Sequence, residues 1–162
     1  MGASKIEADE IAIRPARRED VARIAALILH GSATETMTPA EIEAEAGHPS
    51  YLQAFEEVEA SPANHLFVAE RAGVVLGTYQ VTLIPGIAAR GRRRAKLESV
   101  HVAPESRGLG IGALMVAAAL AFAKAHGVGL FELSSNKNRV DAHRFYRNLG
   151  FEQSHEGFKI TV

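Results

Sequence analysis

Cysteine is absent from the 162-residue chain. That excludes disulfides, thiolate metal sites, iron–sulfur clusters and a cysteine nucleophile, and it fits a reducing, cytoplasmic setting. No apolar run reaches the roughly 18 residues that a membrane span needs; the longest, residues 111–123, is too short. The opening MGASKIEADE has no apolar stretch behind its lysine, so it does not read as a signal peptide. Also missing are the Gly-Lys-Ser/Thr end of a Walker A loop, a His-Glu-x-x-His zinc pattern and a Gly-x-Ser-x-Gly nucleophile elbow. The seven histidines are scattered without metal-ligand spacing.

Bases are missing from one long stretch. Between Ile24 and Glu70 there is no Lys or Arg, while eight acids stand there: Glu35, Glu41, Glu43, Glu45, Glu56, Glu57, Glu59 and Glu70. From Arg90 to Lys96 the balance reverses, with five bases and no acid. Outside that short run the chain is acidic, which makes it a poor nucleic-acid binder, because affinity there comes from phosphate neutralisation. The acid-only stretch, including Glu35 beside Thr34 and Thr36, suits a cationic small molecule; a solvated helix face is the competing reading.

The length is that of one domain. Glu10–Arg14 alternates like a half-buried strand, and Arg18–His30 follows as a helix whose Val21, Ile24 and Ile28 share a face. A second helical region opens at Thr38-Pro39 and is interrupted at Gly47-His48-Pro49, with Ser50 as cap of a helix to Ala60. His65–Arg71 and Val74–Ile84 read as a hairpin about Ala72-Gly73. Leu97–Val102 is a strand and Leu109–His126 an apolar helix. Leu130–Leu133 is a strand, Val140–Leu149 a helix, and Phe151–Glu156 with Phe158–Thr161 a final pair of short strands. The order β-α-α-β-β-β-α-β-α-β-β predicts an α/β (α+β mixed) fold, a mixed central sheet with helices on both faces.

The strongest local signal is Arg107-Gly-Leu-Gly-Ile-Gly112 between a strand and a helix. Glycines let a ligand approach the backbone, and free N–H groups at a helix start attract an anion. A dinucleotide fingerprint is nearly met by Gly108, Gly110 and Ala113, with Glu132 downstream, but five residues separate the loop from its strand where that fingerprint turns at once. A purely structural turn is the remaining local reading.

The loop, in the form Arg107-x-x-Gly110-x-Gly112 after LESVHV, resembles the [Gln/Arg]-x-x-Gly-x-[Gly/Ala] motif of the GNAT superfamily of acyl-CoA-dependent N-acyltransferases. AHRFYRNLGF (142–151) is similar to that family's last helix and following strand, and Ile13-Arg14-Pro15-Ala16 with Asp20 matches more weakly. The resemblance covers nearly the whole chain in the family's element order. It departs at Arg139, where many relatives carry an asparagine; Asn136 and Asn138 lie just upstream.

The resemblance implies a single domain, its sheet split into a V that takes acetyl-CoA, with CoA as product. The cofactor-binding set it implies is Val100, His101 and Val102 on the strand, Arg107, Gly108, Leu109, Gly110, Ile111, Gly112 and Ala113 in the loop, and Asn136, Asn138 and Tyr146 beyond. Strand alternation puts Glu98, Val100 and Val102 on one face and His101 on the other. Glu98 is the implied base; the competing reading is a strand-end carboxylate paired with Arg94 or Lys96. Tyr146 is the implied acid for the leaving thiolate, against a merely apolar role beside Ala142, Phe145 and Leu149. The acceptor expected is a primary amine of a cationic small molecule or a lysine side chain, with no nucleic-acid or membrane partner and with a homodimer as the assembly. The alternative is a non-catalytic acyl-CoA-binding or regulatory domain.

Overall fold

A computed structural model describes residues 10–32 and 36–162. Glu35 and Thr34, part of the expected acceptor-attracting stretch, lie outside the described residues. The described residues fall into two compact units that divide after Glu132.

In the first unit the strands β1 (Ala12–Pro15), β2 (Asn64–Arg71), β3 (Val74–Ile84) and β4 (Arg94–Val102) pair antiparallel in chain order. The sheet's fifth strand, β5 (Leu130–Leu133), meets β4 where both begin: the Gly129 N–H donates to the Arg93 carbonyl at 2.9 Å. Such side-by-side starts, reached through a helical crossover, make the sheet mixed.

Between β1 and β2 run three helices, α1 (Val21–His30), α2 (Pro39–Ala46) and α3 (Pro49–Ala60), one more than the element order predicted. Pro49 occupies the first helical position of α3, so the cap falls one residue earlier. His48 does that work, its Nδ1 accepting from the Ser50 N–H at 3.2 Å, where Ser50 itself was expected. A reciprocal Thr38–Glu41 capping box starts α2. One face of α1 sets Ile24 and Leu27 against Val68, Val75 and Ala103 of the sheet side. Its small residues Ala25 and Ala26 lie against Ile42 and Ala46 of α2. The opposite sheet face is covered by α5 (Ile111–Ala125), whose Phe122 meets Phe67 edge-on at 5.2 Å while Phe67 stacks on Tyr79. α4 (Ala88–Gly91) is a single turn on the β3–β4 connection.

At the entry to α1, Asp20 is buried and accepts from both Arg14 Nη1 (2.7 Å) and Nη2 (3.0 Å), and from the Arg17 N–H at 2.7 Å. Arg14 also donates to Glu70 at 2.7 Å. This cluster ties β1, β2 and α1 together, and the guanidinium holds the Asp20 carboxyl below its ordinary range.

In the second unit the principal element is α6 (Val140–Asn148), preceded by a turn in which Asn136 Oδ1 accepts from the Asn138 N–H at 2.9 Å. The two short strands expected after Gly150 are not formed. Phe158 and Ile160 alternate as strand residues do but stand 94% and 88% exposed. Alternation is a local pattern, whereas a strand also needs a hydrogen-bonded neighbour.

Candidate active site

The glycine loop joins β4 to α5. A short 3-10 turn, Pro104–Ser106, leads into it, and Arg107 Nε donates back to the Val102 carbonyl at 3.2 Å, fastening the loop to the strand end. Gly108 and Gly110 have φ of 79° and 88°, the left-handed region that side chains avoid. Gly110 is the N-cap of α5, with no capping side chain. Helix N–H groups that no side chain satisfies are donors for an anion, reinforced by the helix dipole. A Cβ built on either glycine meets no heavy atom within 4 Å, so open space lies over the loop. The residues fit the pyrophosphate of a nucleotide cofactor. Leu109, Ile111, Gly112 and Ala113 complete the turn, with Ile111 buried as the anchor of the first helical turn.

β4 departs from simple alternation. Thr78 pairs with His101 and Gln80 with Glu98, so Tyr79 faces two residues, and Ser99 has φ of 51°. This bulge flips the remainder of the strand. Residues paired across a sheet share a face, which puts Glu98 with His101, Thr78 and Gln80. Val102, opposite Gly77, lies on the other face, as does Val100 two residues before it. The expected grouping of Glu98 with both valines, and His101 opposite, is therefore corrected. The faces are identified by their covers: a Cβ on Gly77 would meet Met115 Sδ of α5 at 2.7 Å, and one on Gly31, which ends α1, would run into the His101 ring.

Glu98 thus stands on the sheet face away from α5. Lys96 Nζ lies 2.9 Å from its Oε1, both side chains about one-third to two-fifths open at 34% and 41% exposure. A polar strip adjoins them, since Lys96 pairs with Thr82 and Glu98 with Gln80. Gln80 Nε2 donates to Asn64 Oδ1 at 3.3 Å, and Thr82 Oγ1 donates to the same oxygen at 2.8 Å. Arg94, two residues before Lys96, holds both carboxylate oxygens of Glu132 at 3.0 and 3.1 Å. That occupation leaves Glu132 unsuited to the ribose contact a dinucleotide fingerprint requires.

Tyr146 lies on α6 in the second unit, its ring edge-on to Phe145 at 5.1 Å and to Phe151 at 5.7 Å. Burial raises its hydroxyl above the ordinary tyrosine range, so it keeps its proton at neutral pH. Asn136 spends its side-chain oxygen on the turn before α6, and its carbonyl lies 2.9 Å from His143 Nε2. Of the described acids in the acid-only stretch, Glu41 closes a cap, Glu56 pairs with Arg18, Glu70 with Arg14, Glu43 and Glu57 stand exposed, and Glu59 lines a pocket with Asn64 and His65. No group of three or more His, Asp or Glu suited to a metal occurs among the described residues.

The fold is of the α/β class, with an open glycine loop at a helix start whose uncapped N–H groups suit an anion. Residues 32–151 match the model of the acetyltransferase (GNAT) family, and the chain belongs to that family of acetyl-transferring enzymes. Over 66 residues the chain is 42% identical to an aminoalkylphosphonate N-acetyltransferase of Salmonella typhimurium, a match spanning 41% of this chain and 42% of that protein. Among solved structures, one described as a transcriptional regulator from Bacillus halodurans is 33% identical, with TM-score 0.82 over 94% of this chain and 99% of the other. One from Agrobacterium tumefaciens, described as an acetyltransferase, shares the fold at 24% identity and TM-score 0.76 over 93% and 99%. No helix among the described residues is long and apolar enough to cross a membrane.

Proposed function

We propose that the chain transfers the acetyl group of acetyl-CoA to a primary amine of a small molecule. The observation that carries this reading is the glycine loop, with its left-handed glycines and unsatisfied helix N–H groups, in a chain of this family. Arg107 to Ala113 hold the pyrophosphate, and the backbone of Val100, His101 and Val102 runs along the pantetheine arm. Bound there, acetyl-CoA supplies a thioester carbonyl open to attack by an amine.

An amine with a pKa near ~10.4 is mostly protonated at neutral pH, so its proton must be taken before attack. Glu98 does this directly or through one water. The Tyr146 hydroxyl, held neutral by burial, donates to the departing thiolate sulfur.

The acceptor carries its own acidic group. Glu98 is already paired with Lys96, and an amine bearing a carboxylate or phosphonate exchanges one ion pair for two, its amine on Glu98 and its anion on Lys96. The aminoalkylphosphonate substrate in the name of the Salmonella relative is of this kind. The competing choice is the cationic acceptor expected from the sequence, drawn by the acids between residues 24 and 70.

Glu98→Gln should lower kcat/KM by about 10²–10⁴ while acetyl-CoA still raises the melting temperature. In a panel at low salt, aminoalkylphosphonates and amino acids should outpace polyamines; faster turnover of polyamines would return the acidic stretch to the acceptor site. A second reading, a non-catalytic acyl-CoA-binding or regulatory domain, draws on the description of the Bacillus halodurans structure. Acetyl-CoA binding with no turnover of any amine in that panel would establish it.

A further inference from the structure

An amine that hands its proton to a carboxylate must stand within about 2.6–3.2 Å of it. Lys96 Nζ lies 2.9 Å from Glu98 Oε1, so a primary amine of the chain itself already occupies the place where an acceptor's amine has to come. Both side chains are partly open to water, and an ion pair of that kind is weak and exchanges readily.

The neighbouring side chains are committed elsewhere. Across the sheet, Gln80 and Thr82 both donate to Asn64 Oδ1. Arg94, two residues before Lys96, is held by both oxygens of Glu132, and a guanidinium keeps its proton in any case. Lys96 is therefore the nitrogen that can lose a proton to Glu98 and act as a nucleophile.

Exposure alone favours other lysines. Lys124, Lys137 and Lys159 stand exposed and have no carboxylate partner among the described residues, whereas the Lys96 side chain is only 34% exposed. Acetylation without help from the protein follows access to the reagent and reaches those three first. A reaction assisted by Glu98 reverses the order.

We propose that Lys96 is a self-acetylation site, modified by bound acetyl-CoA when no acceptor fills the site beside Glu98. The inference rests on the acetyl-transfer reading above. Glu98 takes one proton from the Lys96 ammonium, and the freed nitrogen pair attacks the thioester carbonyl. A C–N bond forms, the C–S bond breaks, and the sulfur leaves with the proton that Tyr146 carries. Of the three ammonium protons one stays on the amide nitrogen, one has gone to Glu98, and one restores Tyr146. The product is neutral at residue 96, so the partner for an acceptor's carboxylate or phosphonate is lost. An acidic amine protects against this, because its own amine takes Glu98 and its anion takes Lys96.

The whole chain is incubated with acetyl-CoA and no amine, and each lysine is followed by peptide mass spectrometry. Lys96 should gain an acetyl group at least about tenfold faster than Lys124, Lys137 or Lys159, as expected of an amine held at the reacting carbonyl. Acetyl phosphate, a donor that lacks the CoA moiety, should show no such preference. Glu98→Gln should remove the preference while acetyl-CoA still raises the melting temperature. In wild type, incubation should raise KM for an aminoalkylphosphonate by about tenfold as one charged contact is lost, and the same amine present throughout should prevent it. Lys96→Arg should keep the thermal shift with acetyl-CoA and lose both the label at residue 96 and the rise in KM on incubation. Amine turnover with Lys96 labelled no faster than the exposed lysines would overturn the inference and leave the acetyl-transfer reading standing. An equal preference for Lys96 with acetyl phosphate, or in Glu98→Gln, would also overturn it. Neither thermal shift nor turnover with acetyl-CoA would overturn that reading and this inference together.

Discussion

Replacing Asp20 with alanine removes the central acceptor of the β1–β2–α1 cluster. Two charge-assisted bonds from Arg14 and one from the Arg17 N–H are lost together. The Arg14 side chain, only 17% exposed, is left with Glu70 and the Pro15 carbonyl. Removing one partner of a buried pair costs about 3–5 kcal/mol, and the surviving Glu70 contact places this case at the low end, about 3 kcal/mol. For a chain of this length that is roughly 6–12 °C in melting temperature. Glu70→Ala, which leaves Arg14 on Asp20, should cost about 1 kcal/mol. The pH dependence follows from the lowered Asp20 carboxyl. A depressed carboxyl contributes stability that is complete above its unfolded value, near ~3.9, and is lost as pH falls through the lower folded value. Urea unfolding of wild type and Asp20→Ala at pH 6 and at pH 3 should therefore show a gap that is full at the first and narrower at the second. A gap under about 1 kcal/mol at pH 6 would refute the assignment, because it would match an exposed ion pair. A gap unchanged on acidification would refute it equally.

Three further outcomes are expected. Tyr146→Phe should lower turnover by about 10²-fold or more with acetyl-CoA affinity nearly intact, measured by release of CoA with a thiol dye that the cysteine-free protein does not itself consume. Gly110→Ala has room for its Cβ but takes φ of 88°; it should destabilise by about 1–2 kcal/mol and weaken stabilisation by acetyl-CoA, read in one thermal-shift series. Burial, and after it the neighbouring His126, holds His65 below the ordinary histidine range. The unfolded chain then binds the proton more readily, so stability should decline as pH falls below about 6.5 toward the lower folded value. His65→Phe should flatten that decline, and an unchanged slope between pH 7 and 5 in the variant would exclude His65 as its cause.

The hairpin strand Val74–Ile84 and the glycine loop were legible in the sequence because their signals are local: β-branched runs, a tight glycine turn, small residues before an apolar helix. Helix ends were less so. Ser50 looked like the cap of α3, yet the proline before it moved the cap to His48. The tail after Gly150 carries strand alternation and forms no strand. Lys96 was already an alternative partner for Glu98, since residues two apart on a strand share a face, but spacing alone did not choose it over Arg94.

Composition and local pattern alone determined most element types, the lack of protein thiols, the glycine loop and its likeness to a family. Those properties depend on neighbours within a few residues, where backbone preference and spacing act directly. The tertiary structure decided which way Glu98 faces. One inserted residue, Ser99, reverses every side chain after it, and only pairing with β3 shows that Tyr79 faces two residues where alternation allows one. It also decided that the acids of α2 and α3 stand in solvent while Glu98, Lys96 and the Gln80–Thr82–Asn64 strip share one sheet face. Sequence spacing within a strand specifies a face only until a bulge intervenes, and the partner strand's hydrogen bonds, more than sixteen residues away in the chain at Gln80 and Glu98, determine where it does.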